Sequence, residues 1–489
     1  MSSRPLPRFS RAAHEDKGRM KLGYACRNIT PKPGITLSGF ASRCNAPSTG
    51  IADPIFVKAI LFENDGASVL MLSFDLLALG PELDERLQAA LDNALCSTGQ
   101  ALPARDNRIF VCTHTHSAPA TITLLGCGIS EPAYWSSLVK KSVAAAVEAS
   151  RRRVDASMRL AQVALPRSNY NRHSMLEDGR VVMGQFPQGK VVRRGPDQES
   201  MHILRFEDAG GIALVAMLSW AAHPCTLGGL EISGDFPGLL CSRLEDTWRT
   251  PVVFLQGACG DLNPPFSKMN CEEMKANCDA IISRLSNLRF SHSLNELPFG
   301  FMRTSIQLPY MLGTDTDSIR RFHDGMAEIA RTGSGPEASI AVLANILNVE
   351  AGKTTDPRMM RYIADCMRMW SGKVLTQATL PVSCVLALSI FRMGHLVFVA
   401  IAAEVFQETA RSLQAANPDD LVIVLGYASP LVGYLPTAQC QADGGYETDW
   451  AWRFYGHPGP FVSEAEERTR GILETLIRQT ATSRPRPFE

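Results

Sequence analysis

Two histidines stand two residues apart directly after a short apolar run, and their types and spacing could support metal binding or acid/base catalysis. Residues 108–119 read RIFVCTHTHSAP, so His114 and His116 follow the run that ends at Cys112. The run predicts a buried strand. If the extended conformation continues, side-chain alternation places both imidazoles on one side. The alternative is one hydrogen-bonded packing histidine and one solvated histidine.

Other predicted strands also end in a polar residue. These residues are Asp75, His223, Asp261 and Glu404. Loops that follow strands in layered α/β folds often meet at one sheet edge, so the side chains could converge. Two histidines and a carboxylate with one open position form a normal catalytic zinc set, whereas structural zinc prefers cysteine. Separate strand ends need not meet, so the residues alone leave the metal site open. Asp75 and Asp235 fit supporting or helix-capping roles better than ligand roles.

The elements that would position these residues alternate between strands and helices. Residues 55–63 and 68–74 are strand-like runs joined by Asn64-Asp65-Gly66, a strong hairpin signal. A helix should follow from Gly80-Pro81, with leucines at every fourth position and a stop at Gly99. This alternation predicts an α/β fold, and the hairpin makes the sheets mixed. We expect a layered sandwich of mixed β-sheets flanked by helices.

We expect one large domain over residues 22–481, with a disordered tail at 1–21 and another tail at 482–489. Residues 318–370 look helical and predict an insertion or lid. Residues 169–180 are polar and predict a loop, and Glu404 is expected at the start of a helix. No internal repeat is visible in the sequence.

Composition favours a soluble cytoplasmic protein that acts on a small molecule. Lys+Arg and Asp+Glu are equal at 49 each in 489 residues, so the charge gives no sign of a nucleic-acid partner. The longest apolar run, residues 212–222, is too short for a transmembrane segment. Thirteen cysteines without a Cys-x-x-Cys pair suit reduced thiols. The oligomeric state stays open.

Short motifs are spread over nearly the whole chain in a fixed order. They are NITP at 28–31, SGF at 38–40, THTHSAP at 113–119, NR at 171–172, AH at 222–223, QG at 256–257, GDLNP at 260–264, Glu404 after a strand, and GY at 433–434. Together these motifs resemble the catalytic domain of the neutral/alkaline ceramidases, a family of zinc amidases. The resemblance implies one Zn²⁺ per chain, bound by His114, His223, Glu404 and Tyr434.

The same resemblance implies roles for residues around the metal. His116 would face the scissile group as a catalytic residue, and Arg172 and Gly39 would line the substrate pocket. An imidazole near the metal can stabilise an oxyanion or transfer a proton. Tyr446 belongs to an aromatic loop that either lines the pocket or packs internally, and we count it as a substrate-binding candidate.

Asn263 departs from the family, whose members carry a catalytic serine at this position. Asparagine cannot act as a nucleophile, but its amide can donate to an oxyanion. Zinc-activated water is therefore the expected nucleophile. The chain also ends soon after the Tyr434 loop, without the additional C-terminal β-domain of ceramidases, which argues against ceramide as the substrate.

We therefore expect a zinc-dependent amidohydrolase that cleaves the amide (N-acyl) bond of a small or acylated substrate. Two alternatives remain open. One is a catalytically silent binding protein of the same fold. The other is an ester or lactone hydrolase that uses the same zinc site, since zinc-activated water attacks either carbonyl.

Overall fold

Three β-sheets with the same strand order surround a shared hydrophobic core. The computed structural model describes residues 20–98, 102–265, 268–285, 288–291, 297–313, 315–346 and 356–482. Within these residues, each large sheet has three successive antiparallel strands and a further strand parallel to the third. A helix makes each parallel crossover, as this connection requires. The topology therefore repeats although the sequence shows no repeat.

The first unit carries the predicted hairpin. Its elements are β1 (Lys21–Asn28), β2 (Gly50–Ile51), β3 (Phe56–Asn64), β4 (Ala67–Phe74), α1 (Pro81–Thr98), β5 (Arg108–Cys112), α2 (Pro132–Arg151) and β6 (Val154–Asp155). Asp65 and Gly66 form the turn between β3 and β4 with φ of 48° and 79°, a left-handed conformation that glycine and aspartate tolerate. α1 begins at the predicted Pro81 and leads to β5, which pairs in parallel with β4. The predicted stop at Gly99 lies outside the described residues.

The second unit repeats this arrangement and adds several short strands. Its elements are β7 (Ser157–Ala164), β8 (Tyr170–Asn171), β9 (His173–Leu176), β10 (Val181–Met183), β11 (Val191–Arg194), β12 (Ser200–Glu207), β13 (Ala213–Trp220), β14 (Glu231–Ile232), α3 (Asp235–Trp248), β15 (Val252–Gln256), β16 (Leu262–Asn263) and α4 (Cys271–Arg284). The expected loop at 169–180 is wrong, because β8 pairs with the distant β16 and β9 pairs with β10 and β11.

The third unit contains the helical insertion between its first two strands. Its elements are β17 (Phe299–Pro309), α5 (Thr316–Thr332), α6 (Glu337–Ile346), α7 (Pro357–Thr376), β18 (Ser383–Met393), β19 (Leu396–Ile401), β20 (Glu404–Val405), α8 (Gln407–Ala416), β21 (Leu421–Leu425), β22 (Tyr434–Leu435), α9 (Ala438–Asp443) and α10 (Ala465–Thr482). Glu404 therefore lies in a short strand, and the prediction that it starts a helix is wrong.

The shared core lies where one face of each sheet meets the other two. Phe62, Phe206 and Phe391 come from β3, β12 and β18, the second of the three successive antiparallel strands in each large sheet. The Phe62 ring centroid is 5.5 Å from that of Phe206 and 5.4 Å from that of Phe391. Along β3 the side chains alternate, so Ile60 enters this core while Leu61 packs in a second cluster with α1 and α2. Both faces of β3 are buried, and helices flank the mixed sheets, which confirms the predicted layered α/β class.

The described chain begins one residue before a strand and ends in a helix. Met20 is buried and Lys21 begins β1, so the last two residues of the expected N-terminal tail are structured, while 1–19 lie outside the described residues. α10 continues to Thr482, and residues 483–489 are not described.

None of the described helices has the length and apolar character needed to cross a membrane. Every cysteine whose side chain the structure describes is a free thiol.

Candidate metal centre

The candidate ligands come from strand ends in all three units. His114 and His116 follow β5 of the first unit, and His223 follows β13 of the second. Glu404 begins β20 of the third unit, and parallel pairing of β20 with β22 places it beside Tyr434. The predicted convergence is therefore present for the strand ends that carry these residues, whereas Asp75 accepts a backbone N–H at the start of β3.

The path of the chain at the two predicted histidines differs from the expected strand extension. β5 ends at Cys112, and His114 has a φ of 68°, which is uncommon for a residue other than glycine. The His114 N–H donates to the Leu76 carbonyl at 2.9 Å, which holds this turn. The imidazoles still converge, with 3.4 Å between Nε2 of His114 and Nε2 of His116. The turn, and not strand alternation, brings them together.

Three imidazoles and one carboxylate face a common point. Nε2 of His114 is 3.1 Å from Nε2 of His223, and the possible ligand atoms of His114, His116 and His223 all lie within 4.8 Å of one another. Oε2 of Glu404 is 3.2 Å from Nε2 of His114 and 3.9 Å from Nε2 of His223. The cluster is almost fully buried, apart from the partly exposed His116.

The second nitrogens of two imidazoles determine which tautomer each histidine adopts. Nδ1 of His114 lies 2.8 Å from the Leu77 carbonyl, and Nδ1 of His223 lies 3.1 Å from the Cys259 carbonyl. A carbonyl only accepts hydrogen bonds, so each Nδ1 must carry a proton. Burial also lowers the pKa of His223 well below 6.5, which favours its neutral form. When both rings are neutral, their Nε2 lone pairs therefore face each other.

This donor set fits a divalent metal ion. Two facing lone pairs repel unless a cation lies between them, and Oε2 of the buried Glu404 has no hydrogen-bond partner in the structure. Imidazole nitrogens whose other nitrogen donates to a carbonyl, together with a carboxylate, are typical of zinc sites. His114, His223 and Glu404 are thus suited to hold such an ion.

Two tyrosines lie beside Glu404, and only one of them was proposed for the site. The Tyr434 hydroxyl accepts a hydrogen bond from Nη2 of Arg172 at 3.0 Å, so its role as a ligand stays a prediction. The Tyr455 hydroxyl donates to Oε1 of Glu404. The sequence placed Tyr455 in an aromatic loop but held no signal that distinguished this contact from packing.

Arg172 is a buried side chain that hydrogen-bonds to several residues around the centre. Its Nη1 donates to Oδ1 of Asn263 at 3.1 Å, and its Nη2 donates to the Gly260 carbonyl at 2.8 Å as well as to Tyr434. Its Nε donates to Oε1 of Glu447 at 2.8 Å, and both side chains are buried. Sequence reasoning missed Glu447, because nothing in the sequence showed which acid would pair with this arginine.

The remaining substrate-side candidates border this group. Gly39 has a φ of 103°, and a Cβ there would lie 2.6 Å from Cγ of His116, so only glycine fits against the imidazole. The Phe40 ring packs edge-on against His116 at 4.8 Å. Tyr446 packs edge-on against Tyr434 with centroids 6.2 Å apart. The structure thus places Gly39 at His116 and Tyr446 at Tyr434, while their binding roles stay predictions.

The other candidate acids hold backbone around the centre. Asp75 accepts the Phe56 N–H at 2.9 Å, and Asp261 accepts the Gln407 N–H at 2.9 Å. Asp235 accepts the N–H groups of Thr226 and Leu227 in the loop after His223, and the N–H of Phe236 in its own helix, α3. These contacts fit the supporting roles expected for Asp75 and Asp235, and they give Asp261 a similar role.

The described residues define an α/β protein with a buried centre suited to a divalent metal. No protein-family model and no curated protein matches the chain. Solved structures share its fold, and two of them are ceramidases. The neutral ceramidase from Pseudomonas aeruginosa is 16% identical, with a TM-score of 0.64 over 97% of this chain and 76% of that chain. A ceramidase complexed with C2 is 17% identical, with a TM-score of 0.65 and the same coverage. The chain therefore has the neutral ceramidase fold, which confirms the resemblance at the level of structure.

Proposed function

We propose that this protein is a zinc-dependent hydrolase that cleaves the amide bond of a small or N-acylated substrate. One observation carries the proposal: the Nε2 lone pairs of His114 and His223 face each other at 3.1 Å beside an unpartnered Glu404 oxygen. A bound cation accounts for all three groups. The shared fold with neutral ceramidases supports amide hydrolysis over other zinc chemistry.

In this proposal His114, His223, Glu404 and Tyr434 hold one Zn²⁺ per chain. When bound, zinc polarises a carbonyl group and makes water a better nucleophile near neutral pH. His116 lies next to this position and is neutral under ordinary conditions, because burial lowers its pKa well below 6.5. It can accept a proton from the attacking water and return it to the leaving nitrogen.

Asn263 and Arg172 act on the substrate side. Oδ1 of Asn263 accepts from Arg172, which orients the Asn263 amide so that one of its N–H groups can donate to an oxyanion. Arg172 also holds Tyr434 and the Gly260 carbonyl, so it fixes the relative positions of the reacting groups. Gly39 leaves space beside His116, and Tyr446 lies next to Tyr434 where it can contact the substrate. A cytoplasmic location belongs to the same proposal.

Metal analysis with a matched pair of histidine variants tests the proposal. The purified wild-type chain should contain about one zinc, and His223→Ala should lose both zinc and turnover. His395→Ala changes a histidine in the β18–β19 turn and should keep both. Turnover is measured on a panel of N-acyl amides, esters and lactones, with amides expected to react fastest.

Each outcome of this panel decides between the possibilities. A wild-type protein without stoichiometric zinc, or a His223→Ala variant with full zinc and turnover, would overturn the metal centre. Zinc-dependent turnover of esters or lactones alone would replace the amide assignment. A zinc-loaded protein inactive on the whole panel would favour the silent binding protein.

A further inference from the structure

Tyr455 makes the direct side-chain contact to Glu404 that fixes one of its two oxygens. Its hydroxyl donates to Oε1, although the two residues are 51 positions apart in the chain. Oε2 has no hydrogen-bond partner and lies 3.2 Å from Nε2 of His114. One oxygen is therefore occupied by a donor while the other faces the imidazoles.

A carboxylate without such a donor has two equivalent oxygens. It can rotate, or it can offer a metal either one oxygen or both. A hydrogen bond to one oxygen makes the two different and favours binding through the free oxygen. The hydroxyl of Tyr455 thus has a defined chemical effect on the ligand, beyond filling space.

The Tyr455 ring is itself held firmly on two sides. Gly433 lies against it, and a Cβ on Gly433 would be 3.0 Å from Cγ and Cδ2 of the ring. His457 stacks on the ring at 6.1 Å with an angle of 14°. Nε2 of His457 donates to the Val432 carbonyl at 2.6 Å, and its Nδ1 accepts from the Tyr310 hydroxyl at 2.7 Å. The ring therefore has little freedom to move its hydroxyl away from Glu404.

We propose that Tyr455 is a positioning residue that selects the Glu404 oxygen offered to the metal. The proposal rests on the metal centre of the proposed function and adds a residue to it. Tyr455 acts through Glu404 and needs no contact with the substrate.

The choice of variant follows from the surroundings of the ring. Tyr455, Val432 and His457 line a cleft of about 870 Å³ between α1 and strands β17 and β18. Removing the whole ring would open this cleft toward Glu404 and would mix several effects. Tyr455→Phe keeps the ring and its packing and removes only the hydroxyl.

The test measures metal binding on the full chain without reference to turnover. The dissociation constant for Zn²⁺ is obtained by competition with a chromophoric chelator, and the visible spectrum is recorded with Co²⁺ in place of zinc. Tyr455→Phe should bind Zn²⁺ about 10- to 100-fold more weakly and should change the Co²⁺ absorption bands. Tyr362→Phe is the matched control, because Tyr362 lies in α7 of the helical insertion and its hydroxyl donates to the Gly126 carbonyl in the loop before α2. This control should bind like wild type.

Further measurements separate positioning from loss of structure. The metal-free Tyr455→Phe protein should melt close to metal-free wild type. If wild type binds Zn²⁺ but Tyr455→Phe matches it within twofold with an unchanged Co²⁺ spectrum, the positioning role is overturned and the metal centre stands. If wild type itself binds no Zn²⁺, both proposals are overturned.

Discussion

The buried ion pair between Arg172 and Glu447 should control the stability of the site, and Glu447→Gln tests this. The two side chains are 275 residues apart in the chain, and neither is appreciably exposed. Glutamine keeps the size of the side chain and removes its charge. The variant leaves the Arg172 guanidinium buried without its counter-ion, and breaking a buried pair in this way costs about 3–5 kcal/mol.

The pKa of Glu447 gives a second value for the free energy that the charge of Glu447 contributes to folding. Burial alone would raise this pKa, but the Arg172 guanidinium and His173 together outweigh burial and hold the pKa at about 2, against 4.5 for an ordinary glutamate. The difference corresponds to about 3 kcal/mol of folding free energy. A depressed pKa in the folded state stabilises the protein above the unfolded-state pKa. The contribution is therefore complete above pH 4.5 and is lost as the pH falls toward 2.

Equilibrium unfolding in urea measures the free-energy difference between wild type and Glu447→Gln at several pH values. The difference should be about 3–5 kcal/mol at pH 7 and pH 5, and it should then shrink by about 1.4 kcal/mol per pH unit below pH 4.5. Glu82→Gln is the control, because Glu82 pairs with Arg86 on an exposed face of α1. That change should cost less than about 1 kcal/mol.

Two results would refute this reasoning. One is a cost below about 1 kcal/mol at pH 7, and the other is a cost that stays constant from pH 7 to pH 3.5. The double variant Arg172→Met/Glu447→Leu adds a check. It removes both charges, so it should be more stable than Glu447→Gln, although it should lose activity with Arg172.

Three further changes test other parts of the molecule. Gly39→Ala places a methyl group against His116 at a φ of 103°, so it should destabilise the fold by about 1–3 kcal/mol. It should also lower kcat more than it lowers zinc affinity, and a normal kcat would exclude a role for this contact. Arg453→Met removes a guanidinium that lies 4.0 Å from the Trp452 ring centroid and 5.0 Å from that of Trp370. Urea unfolding should show that the free energy of unfolding falls by about 1–2 kcal/mol. An unchanged midpoint would show that these aromatic rings need no cation. Removing zinc with a chelator should lower the melting temperature, because zinc at 100 times its Kd adds about 3 kcal/mol of stability, and adding zinc to His223→Ala should produce no shift.

Local sequence signals were sufficient for elements whose geometry is decided locally. Asn64-Asp65-Gly66 predicts the hairpin because the turn needs positive φ at Asp65 and Gly66, and both adopt it. Pro81 and the spaced leucines predict α1 for similar reasons. These patterns depend on residues only a few positions apart.

The strand order that recurs in the three large sheets could not be predicted from such local patterns. Pairing of β17 with β18 spans the whole helical insertion, and pairing of β8 with β16 joins polar segments about 90 residues apart. Neither pairing requires similar sequences, because backbone groups form the ladder while side chains need only be apolar on the buried faces. Divergent sequences can therefore build the same unit three times without a visible repeat.

The sequence indicated the candidate metal ligands but not the side chains that hydrogen-bond to them. Strand-end loops from the three units meet at one place, so a polar residue directly after a buried strand is a good indicator of the centre, as with His223. The groups that tune these residues come from elsewhere. Glu404 was expected at the start of a helix, yet it lies in a two-residue strand and its hydrogen-bond donor is the Tyr455 hydroxyl. The sequence can indicate which residues reach the centre, while the partner of each depends on turns between distant elements.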